Sequence, residues 1–389
     1  MLKEESFLES TVVVLGGGVG GMITANLLRK NLPEPYTITL IDREEHHVFA
    51  PSLPWLVTGE RQAGNISRSL NSLKQKGIEF IQGEIEHVDA QRRTVIVDGR
   101  SITGDYLVLS LGAALVPEEI PGLAAGYSFY DLAQAERLRQ KLAEFQGGNL
   151  VLLTASPLYK CPAAPYEMAM LLDSYFQKRG IRSRVRMSFY AAEPAPMVVA
   201  GVNVSESVVQ FLRQREISYY PQHQIIRVNP DKKTIDFTNG VQESYDLLIH
   251  VPTHKPPKVI QESGLIGENG WVTVNQYSLE TAIPKVYAIG DVTGIPLEMG
   301  KPLPKAGVFA HGQAKVVANN IILQLTGKGR RAEFDGHGEC FIEIGKHKAG
   351  FARGNFYASP TPVVKVYPPG IRWHFGKVFF EKNWFRTWF

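Results

Sequence analysis

The chain has 389 residues, of which 44% are hydrophobic, and it carries a formal net charge of +4 at pH 7. This length predicts two or three domains with sizeable hydrophobic cores. Positive and negative residues are interspersed, so the charge pattern does not indicate a nucleic-acid partner. Only two cysteines are present, Cys161 and Cys340, which excludes a disulfide framework. We expect no signal peptide, no metal site and no membrane-spanning helix.

The amino-terminal part of the chain has a strand–turn–helix–strand pattern at residues 11–42. Its G-x-G-x-x-G turn has glycines at Gly16, Gly18 and Gly21, and Asp42 follows the second strand. In such units the first glycine makes the turn, the second lets a pyrophosphate approach the backbone, and the third lets the helix pack closely on the strand. Helix N–H groups then face the phosphates, and Asp42 can accept from a ribose hydroxyl. The unit predicts a dinucleotide site, although glycine-rich turns also occur in ordinary α/β domains.

The pattern of an α/β domain continues to residue 146. The proline-rich segment His47 to Gly59, which includes Pro51, follows the second strand directly, so we expect it to pass near the cofactor. A buried strand, Tyr106 to Leu111, ends at Gly112 and Ala113, a pattern that recurs where a strand end abuts a flavin. The other elements predicted here are strands at 78–83, 84–89 and 94–97 and a helix at 131–146.

A second strand–turn–helix unit follows, but it lacks the glycine turn of the first. No glycine occurs at residues 149–179, and the turn at 154–162 reads TASPLYKCP. Side chains and two prolines at this turn would crowd a pyrophosphate. The next strand, Arg184 to Ala191, does end near an acid, Glu193. We therefore predict a Rossmann-like domain that has lost nicotinamide binding, with an atypical NADH site as the alternative.

The segment Val286 to Asp291, VYAIGD, is a second flavin signal. It is a strand that ends in Gly290 and Asp291, followed by a proline-rich loop and a helix predicted from Lys305 to Thr326. An aspartate at this strand end can accept from a ribityl hydroxyl, and the helix N-terminus can direct its dipole at the flavin ring. We expect Lys305, at the start of this helix, to lie near the flavin or its electron acceptor. The elements predicted before this segment are a helix at 205–215 and strands at 217–220, 224–228, 234–237 and 245–251.

Together these motifs resemble the sulfide:quinone oxidoreductase and flavocytochrome c sulfide dehydrogenase group of flavoproteins, relatives of the type II NADH dehydrogenases. The matching segments are GGGVGG at 16–21, PSLPWLVTG at 51–59, KCPAAPYE at 160–167, VYAIGD at 286–291, LPKAG at 303–307 and a lone Cys340. PSLPW and KCPAAPYE are the specific parts, because disulfide reductases and NADH dehydrogenases in general do not have them. The resemblance covers nearly the whole chain. It implies a glutathione-reductase-like α/β fold with two Rossmann-like domains.

The resemblance also implies the chemistry. It predicts FAD as cofactor, sulfide as electron donor, a quinone as acceptor, and Cys161 and Cys340 as a redox pair at the flavin. Lys160 can lower the pKa of Cys161, and Glu167 matches a family acid that can act as a general base. Many relatives have a third cysteine where this chain reads YSFY at 127–130. Its absence implies that FAD is bound non-covalently.

The predicted organisation has three parts. The FAD-binding domain comprises residues 1–113 and 278–326, and the second Rossmann-like domain comprises residues 114–277. Residues 327–389 form a C-terminal domain that interacts with the membrane, and a homo-oligomer is possible. The alternative functions are a flavocytochrome c sulfide dehydrogenase subunit, a type II NADH:quinone oxidoreductase and a flavoprotein without turnover.

The tail KVFFEKNWFRTWF at 377–389 combines six aromatic residues with lysine and arginine, which is typical of a helix lying in a lipid interface. The aromatic arc predicted to face lipid is Phe380, Trp384, Phe385, Trp388 and Phe389, and the opposite arc is polar. Glu381, which falls on the aromatic side, and Phe379 make this separation imperfect. The alternative is a tail packed on its own domain or on a dimer partner. The sequence thus predicts a peripheral, monotopic membrane protein, with the side of the membrane open. The aromatic residues expected to form a quinone pocket are Phe351, Phe356, Tyr357, Trp373 and Phe375.

Overall fold

The computed structural model describes residues 10–389, so the first nine residues of the predicted FAD-binding domain lie outside it. The first part of the chain alternates strands and helices as predicted. Its elements are β1 Thr11–Leu15, α1 Val19–Asn31, β2 Thr37–Asp42, β3 His46–Val48, α2 Leu53–Val57, α3 Ala63–Ile66, β4 Ser67–Ser69, β5 Glu79–Gln82, β6 Ile85–Asp89, β7 Thr94–Val97, β8 Arg100–Thr103, β9 Tyr106–Leu109 and β10 Ala114–Leu115.

The middle of the chain repeats this order of elements. Its elements are α4 Leu132–Glu144, β11 Gly148–Thr154, α5 Ala164–Lys178, β12 Val185–Tyr190, α6 Val202–Arg213, β13 Ile217–Tyr220, β14 Ile225–Asn229, β15 Thr234–Phe237, β16 Gln242–Ser244, β17 Leu247–Val251, β18 His254–Lys255 and α7 Lys258–Gln261.

The last part of the chain returns to the first sheet and then forms a separate antiparallel sheet and a long helix. Its elements are β19 Val286–Ala288, α8 Gly307–Thr326, β20 His337–Gly345, β21 Lys348–Asn355, β22 Val363–Gly370 and α9 Ile371–Trp388. The predicted tail helix therefore begins six residues earlier than expected, directly after β22.

Two parallel sheets form the framework of the fold. The first has the strand order β19-β9-β1-β2-β5 and the second β13-β12-β11-β17. In each unit the chain inserts a three-stranded antiparallel sheet between the third and the fourth strand of the parallel sheet. The inserted sheets are β6-β7-β8 and β14-β15-β16. β1 and β11 lie inside their sheets, which is why each has a buried run of four apolar residues, VVVL in β1 and LVLL in β11. The predicted α/β class with two Rossmann-like units is confirmed.

The C-terminal helix packs against the first Rossmann-like unit rather than standing apart from it. Trp384 and Phe385 of α9 are 3% and 8% exposed and belong to the same hydrophobic cluster as β1 and α1. Phe49 contacts both rings, with centroid distances of 5.5 and 6.0 Å. The prediction that Trp384 and Phe385 face lipid is therefore wrong, since these side chains are part of a protein core.

The glycine turn between β1 and α1 has the geometry that its sequence predicts. Gly16 has a φ of +100°, and a Cβ on it would lie 2.3 Å from the Ser110 carbonyl oxygen. A Cβ on Gly21 would lie 1.9 Å from the Gly16 carbonyl oxygen. Gly18, the N-cap of α1, has an ordinary φ of −68°, and a Cβ there would meet no protein atom within 4 Å. Gly16 and Gly21 are thus required by the fold itself, whereas Gly18 leaves space on the outer side of the turn.

This difference separates folding from cofactor binding in two variants. Gly21→Ala should lower the free energy of unfolding of the cofactor-free protein by about 1–3 kcal/mol or more, because the new methyl group overlaps the Gly16 carbonyl. Gly18→Ala should leave that free energy unchanged but weaken FAD binding, since the methyl group occupies the space at the turn. Denaturant unfolding and FAD titration measure the two effects. Unchanged FAD affinity in a folded Gly18→Ala protein would contradict the placement of the pyrophosphate.

Candidate functional site

The two acids predicted to contact the cofactor lie at the carboxyl ends of strands of the first sheet. Asp42 accepts from the Gly17 N–H at 2.5 Å and from the Glu44 N–H at 2.8 Å. Burial raises the pKa of Asp42, and these two hydrogen bonds oppose the shift. Its remaining lone pairs are available to a ribose hydroxyl.

Asp291 presents a polar atom that the described residues leave unsatisfied. Its Oδ1 is buried and has no hydrogen-bond partner among residues 10–389. Gly290, with a φ of +75°, shapes the turn before it and donates its N–H to Gln313 Oε1 at 2.7 Å. A buried carboxylate oxygen without a donor is costly, and a ribityl hydroxyl would satisfy it. With the glycine turn, this atom shows that the residues present fit FAD.

Lys305 connects this turn to the predicted redox cysteine. Its Nζ donates to the carbonyl oxygens of Asp291 and Thr293 at 2.7 and 2.8 Å and lies 3.3 Å from the Trp271 ring centroid. Burial lowers the pKa of Lys305 to about 7. The Lys305 carbonyl accepts from the Cys161 N–H at 2.6 Å. Lys305 thus lies at the predicted flavin site, where its amino group binds backbone carbonyl oxygens of the protein.

Cys161 lies three residues before the start of α5, in a left-handed conformation with a φ of +52°. Its carbonyl accepts from the Ala164 N–H at 2.9 Å and from the Tyr130 hydroxyl at 3.4 Å. Burial raises the pKa of the Cys161 thiol to about 11; the charge of Glu167 acts in the same direction and Lys377 opposes it.

Cys340, in the middle of β20, belongs to the same electrostatic cluster. Cys340 is exposed as a residue, but neighbouring protein atoms desolvate its thiol. This desolvation raises the pKa of its thiol, and the charges of Cys161 and Glu167 raise it further, while Lys377 lowers it. Both cysteines are free thiols. The structure therefore brings the two predicted redox residues under the influence of one acid and one lysine.

A buried ion pair between Glu167 and Lys377 lies beside the thiols. Lys377 Nζ donates to Glu167 Oε1 at 2.5 Å, and Glu167 Oε2 accepts from the Glu343 N–H at 3.0 Å. Although burial alone would lower it, the carboxylates of Glu167 and Glu343 raise the pKa of Lys377, so this lysine stays protonated. Lys377 also lies 4.5 Å from the centroid of the buried Trp55 ring. Each Glu167 oxygen thus accepts a hydrogen bond from the C-terminal region, one from α9 and one from β20.

The effect of Lys160 on the pKa of Cys161 stays a prediction, and the structure adds a second lysine to it. The cation that acts on Cys161 is Lys377, whereas the charge of Lys160 acts on Asp291 and His254.

The sequence analysis missed the buried polar stripe of α9. His374, Lys377 and Glu381 share one face of this helix and are all buried. His374 Nδ1 lies 3.0 Å from Glu343 Oε2, and Glu381 accepts from Arg61 Nε at 2.9 Å and from the Ser52 hydroxyl. The only signal was Glu381, a charged residue that fell within the aromatic arc of the tail.

The second Rossmann-like unit uses its acid in a different way from the first. Glu193 is buried and accepts from the hydroxyls of Thr154, Tyr159 and Tyr166 at 2.6, 2.5 and 2.7 Å. Three donors from the strand end, the turn and α5 thus meet on one carboxylate. The turn that would bind a pyrophosphate in a nicotinamide site is fixed here by side chains.

The aromatic residues expected to line a quinone pocket fall into two groups. Phe351 stacks on Trp373 with 4.5 Å between centroids and contacts Phe341 at 4.9 Å. Phe356 and Tyr357 lie beyond the end of β21 and pack on Phe309 and Phe334 at 4.9 and 5.4 Å. Phe375 of α9 is 61% exposed. Because Phe356 and Tyr357 pack against the core beside α8, they are separate from the Phe351–Trp373 pair. The structure therefore does not support the prediction of one pocket lined by all five residues.

Three further residues were predicted to contact the cofactor, namely Pro51, Gly112 and Ala113. None of the three is buried, so each can be reached by a ligand. Pro51 is exposed in the short segment before α2, and Gly112, with a φ of +67°, and Ala113 are half-buried after β9. Within residues 10–389, no helix combines the length and apolar character needed to cross a membrane.

Comparison with known proteins identifies the family. A family model described as pyridine nucleotide-disulphide oxidoreductase matches residues 10–314. The chain is 31% identical to the sulfide-quinone reductase of Aquifex aeolicus, across 95% of this chain and 89% of the relative. It is 25% identical to the mitochondrial sulfide:quinone oxidoreductase of Mus musculus, across 90% of this chain and 79% of the relative.

A solved structure supports the same relationship over the whole fold. The X-ray structure of sulfide:quinone oxidoreductase from Aquifex aeolicus superposes with a TM-score of 0.85 at 28% identity, covering 97% of this chain and 91% of that one. The resemblance recognised in the motifs is thereby confirmed. The chain belongs to the pyridine nucleotide-disulphide oxidoreductases and, within them, to the FAD-dependent sulfide:quinone oxidoreductase family.

Proposed function

We propose that the protein oxidises sulfide to polysulfide or sulfur at Cys161 and Cys340 and passes the electrons through FAD to a quinone. The observation that carries the proposal is the 2.6 Å hydrogen bond from the Cys161 N–H to the Lys305 carbonyl. Lys305 also donates to the carbonyl of Asp291, whose unsatisfied Oδ1 suits a ribityl hydroxyl. The backbone of Cys161 is thus hydrogen-bonded to the segment that would bind the flavin.

The exposure of the two cysteines suggests their order of action, since Cys340 is exposed and Cys161 is half-buried. When the cysteines form a disulfide, HS⁻ attacks the more accessible sulfur, Cys340, which becomes a persulfide, while the electron pair of the broken S–S bond leaves on Cys161 as a thiolate. Lys377 stabilises this thiolate, since it is the cation that lowers the pKa of both cysteines.

FAD would supply a two-electron acceptor that can be reoxidised by quinone. Loss of two electrons to it would join the Cys161 thiolate and the Cys340 persulfide through a new S–S bond, with release of the persulfide proton. Cys161, next to the Asp291 turn, would be the better placed of the two sulfurs to deliver these electrons.

NADH is the less favoured donor. The turn at 154–161 has no glycine, and Glu193, the acid at the position that would receive a ribose, already accepts from three hydroxyls. Opening this turn for a pyrophosphate would break hydrogen bonds to a buried carboxylate.

The central prediction is that sulfide reduces the flavin through the cysteine pair. In an anaerobic titration, sulfide should bleach the flavin absorbance of the wild-type protein. Cys161→Ala and Cys340→Ala should each abolish bleaching. FAD should stay bound in both variants, because neither thiol is among the groups expected to bind the cofactor. NADH serves as the matched control donor and should leave the spectrum unchanged. Rapid bleaching by NADH, or full sulfide reactivity in either variant, would overturn the proposal.

Thiol alkylation tests the role of Lys377. In a Cys340→Ala background, the alkylation rate of Cys161 should rise only at alkaline pH, because only the thiolate reacts and its pKa is about 11. Lys377→Met removes the charge that favours the thiolate, so the profile should move to higher pH by about 1–2 units. Lys160→Met is the matched control and should leave the profile in place. A larger shift for Lys160→Met than for Lys377→Met would refute the assignment.

Membrane association belongs to the same proposal, with a revised contact face. Ile371, Phe375 and Phe379 follow each other at four-residue spacing on α9 and are 56%, 61% and 70% exposed. Val363 and Val366 of β22 are exposed nearby in the chain. Aromatic side chains next to Arg372 and Lys382 have the composition of a monotopic contact with a lipid interface. We therefore propose that this stripe, and not the Trp384 arc, enters the lipid.

The quinone site is proposed at the stacked Phe351–Trp373 pair. Phe341 joins this pair, and since Cys340 and Phe341 are successive residues of β20 they point to opposite faces of the sheet. Sulfide and quinone would then approach from different sides. A lipid-soluble quinone would reach the aromatic face through the exposed stripe of α9, which begins beside Trp373.

Vesicle co-sedimentation tests the revised face. The double variant Phe375→Ser, Phe379→Ser should bind lipid vesicles at least about tenfold more weakly, because it lacks two aromatic side chains that would transfer from water into the lipid interface. Both residues are exposed, so stability should change little. Val202→Ser, at a residue that is 71% exposed on the second Rossmann-like unit, is the control. Equal binding of the double variant and the control would reject this face as the anchor.

A further inference from the structure

His47 joins the C-terminal helix to the glycine turn. Its ring is buried, with Nδ1 2.9 Å from the Gly17 carbonyl oxygen and Nε2 3.1 Å from Trp384 Nε1. The imidazole and indole rings are nearly parallel, with an interplanar angle of 19° and centroids 5.8 Å apart. A continuous path of two hydrogen bonds therefore runs from α9 to the turn between β1 and α1.

The chemistry of the two partners fixes the state of His47. The indole N–H of Trp384 can only donate, and the Gly17 carbonyl can only accept. His47 must therefore be neutral with its proton on Nδ1, since a proton on Nε2 would face the indole N–H. Burial lowers the pKa of His47 to about 4, which keeps it neutral at physiological pH.

The bond to Gly17 also orients the next amide of the turn. The Gly17 carbonyl and the Gly18 N–H belong to one planar trans peptide unit, so they point in opposite directions. When His47 holds the carbonyl on the protein side, the Gly18 N–H is directed to the other side. The Gly17 N–H is in turn held by Asp42 Oδ2, so both ends of this residue are fixed.

We propose that Trp384 of α9, acting through His47, orients the Gly18 amide of the phosphate turn, and that FAD retention is thereby coupled to the packing of the C-terminal helix. Trp384 and His47 are positioning residues, because they act on the turn and do not contact the cofactor. The inference rests on FAD binding alone and is independent of the electron donor and acceptor.

The first experiment uses the holoprotein and the conservative variant Trp384→Phe, which keeps an aromatic ring and removes the indole donor. FAD release, followed by the rise of free-flavin fluorescence on dilution, should be about three- to tenfold faster than in the wild type, as expected for one lost hydrogen bond. Trp388→Phe is the matched control: its ring also packs on His311, at 5.9 Å, but it makes no hydrogen bond to His47. Equal release rates for the two variants would overturn the proposal.

A spectroscopic readout separates positioning from general stability. The ³¹P resonances of the bound FAD pyrophosphate should shift in Trp384→Phe and stay in place in Trp388→Phe, because only the former reorients the turn. Unchanged resonances in Trp384→Phe would show that any faster release comes from looser packing, and would overturn the proposal.

A double-mutant cycle tests the path through His47. His47→Asn places an amide donor near the position of Nδ1 and removes the acceptor at Nε2. In this background Trp384→Phe should accelerate FAD release no further, because the indole has already lost its partner. Effects that multiply in the double variant would mean that Trp384 acts independently of His47, and the proposal would fail.

Discussion

The ion pair between Lys377 and Glu167 determines how the C-terminal helix meets the rest of the protein. The two side chains are 4% and 6% exposed and lie on α9 and on α5 of the second Rossmann-like unit. Breaking such a buried pair typically costs about 3–5 kcal/mol, because it leaves an uncompensated charge in the interior. This constraint fixes the rotation of α9 about its axis. The same rotation places Trp384 on His47, leaves Phe375 and Phe379 exposed, and puts a cation beside the thiols.

The features that could be predicted from the sequence are those defined by a short local pattern of residues. The glycines at 16–21 need only the strand before them and the helix after them, and Asp291 needs only a strand end. Lys377 and Trp384 could not be assigned in this way, because a partner more than 200 residues away decides whether they are buried. A helical projection of 377–389 treats aromatic residues as lipid-facing and charged residues as solvated. Here Lys377 and His374 meet buried acids and Glu381 meets Arg61, so the projection assigned the wrong face of the helix to lipid.

The second Rossmann-like unit shows how one framework supports two chemistries. In the first unit the turn after the central strand is glycine-rich and leaves backbone N–H groups free for phosphates. In the second unit the same position contains Cys161, whose own N–H is bonded to Lys305, and its strand-end acid, Glu193, is bonded to hydroxyls. The position of a phosphate-binding turn in the first unit thus contains a thiol in the second. The strand order β9-β1-β2-β5 of the first sheet corresponds to β17-β11-β12-β13 of the second.

The hydrogen bond between Trp384 and His47 joins residues that are 337 positions apart in the chain, and this has a consequence for biosynthesis. A ribosome finishes the whole first sheet, including β19, well before it reaches Trp384. Until α9 emerges and packs, the carbonyl of Gly17 has a histidine beside it whose second nitrogen lacks its indole donor. Flavin loading would therefore be completed only after translation of the C-terminal helix, and fragments cut short before that point would be flavin-poor even where their Rossmann-like units have folded.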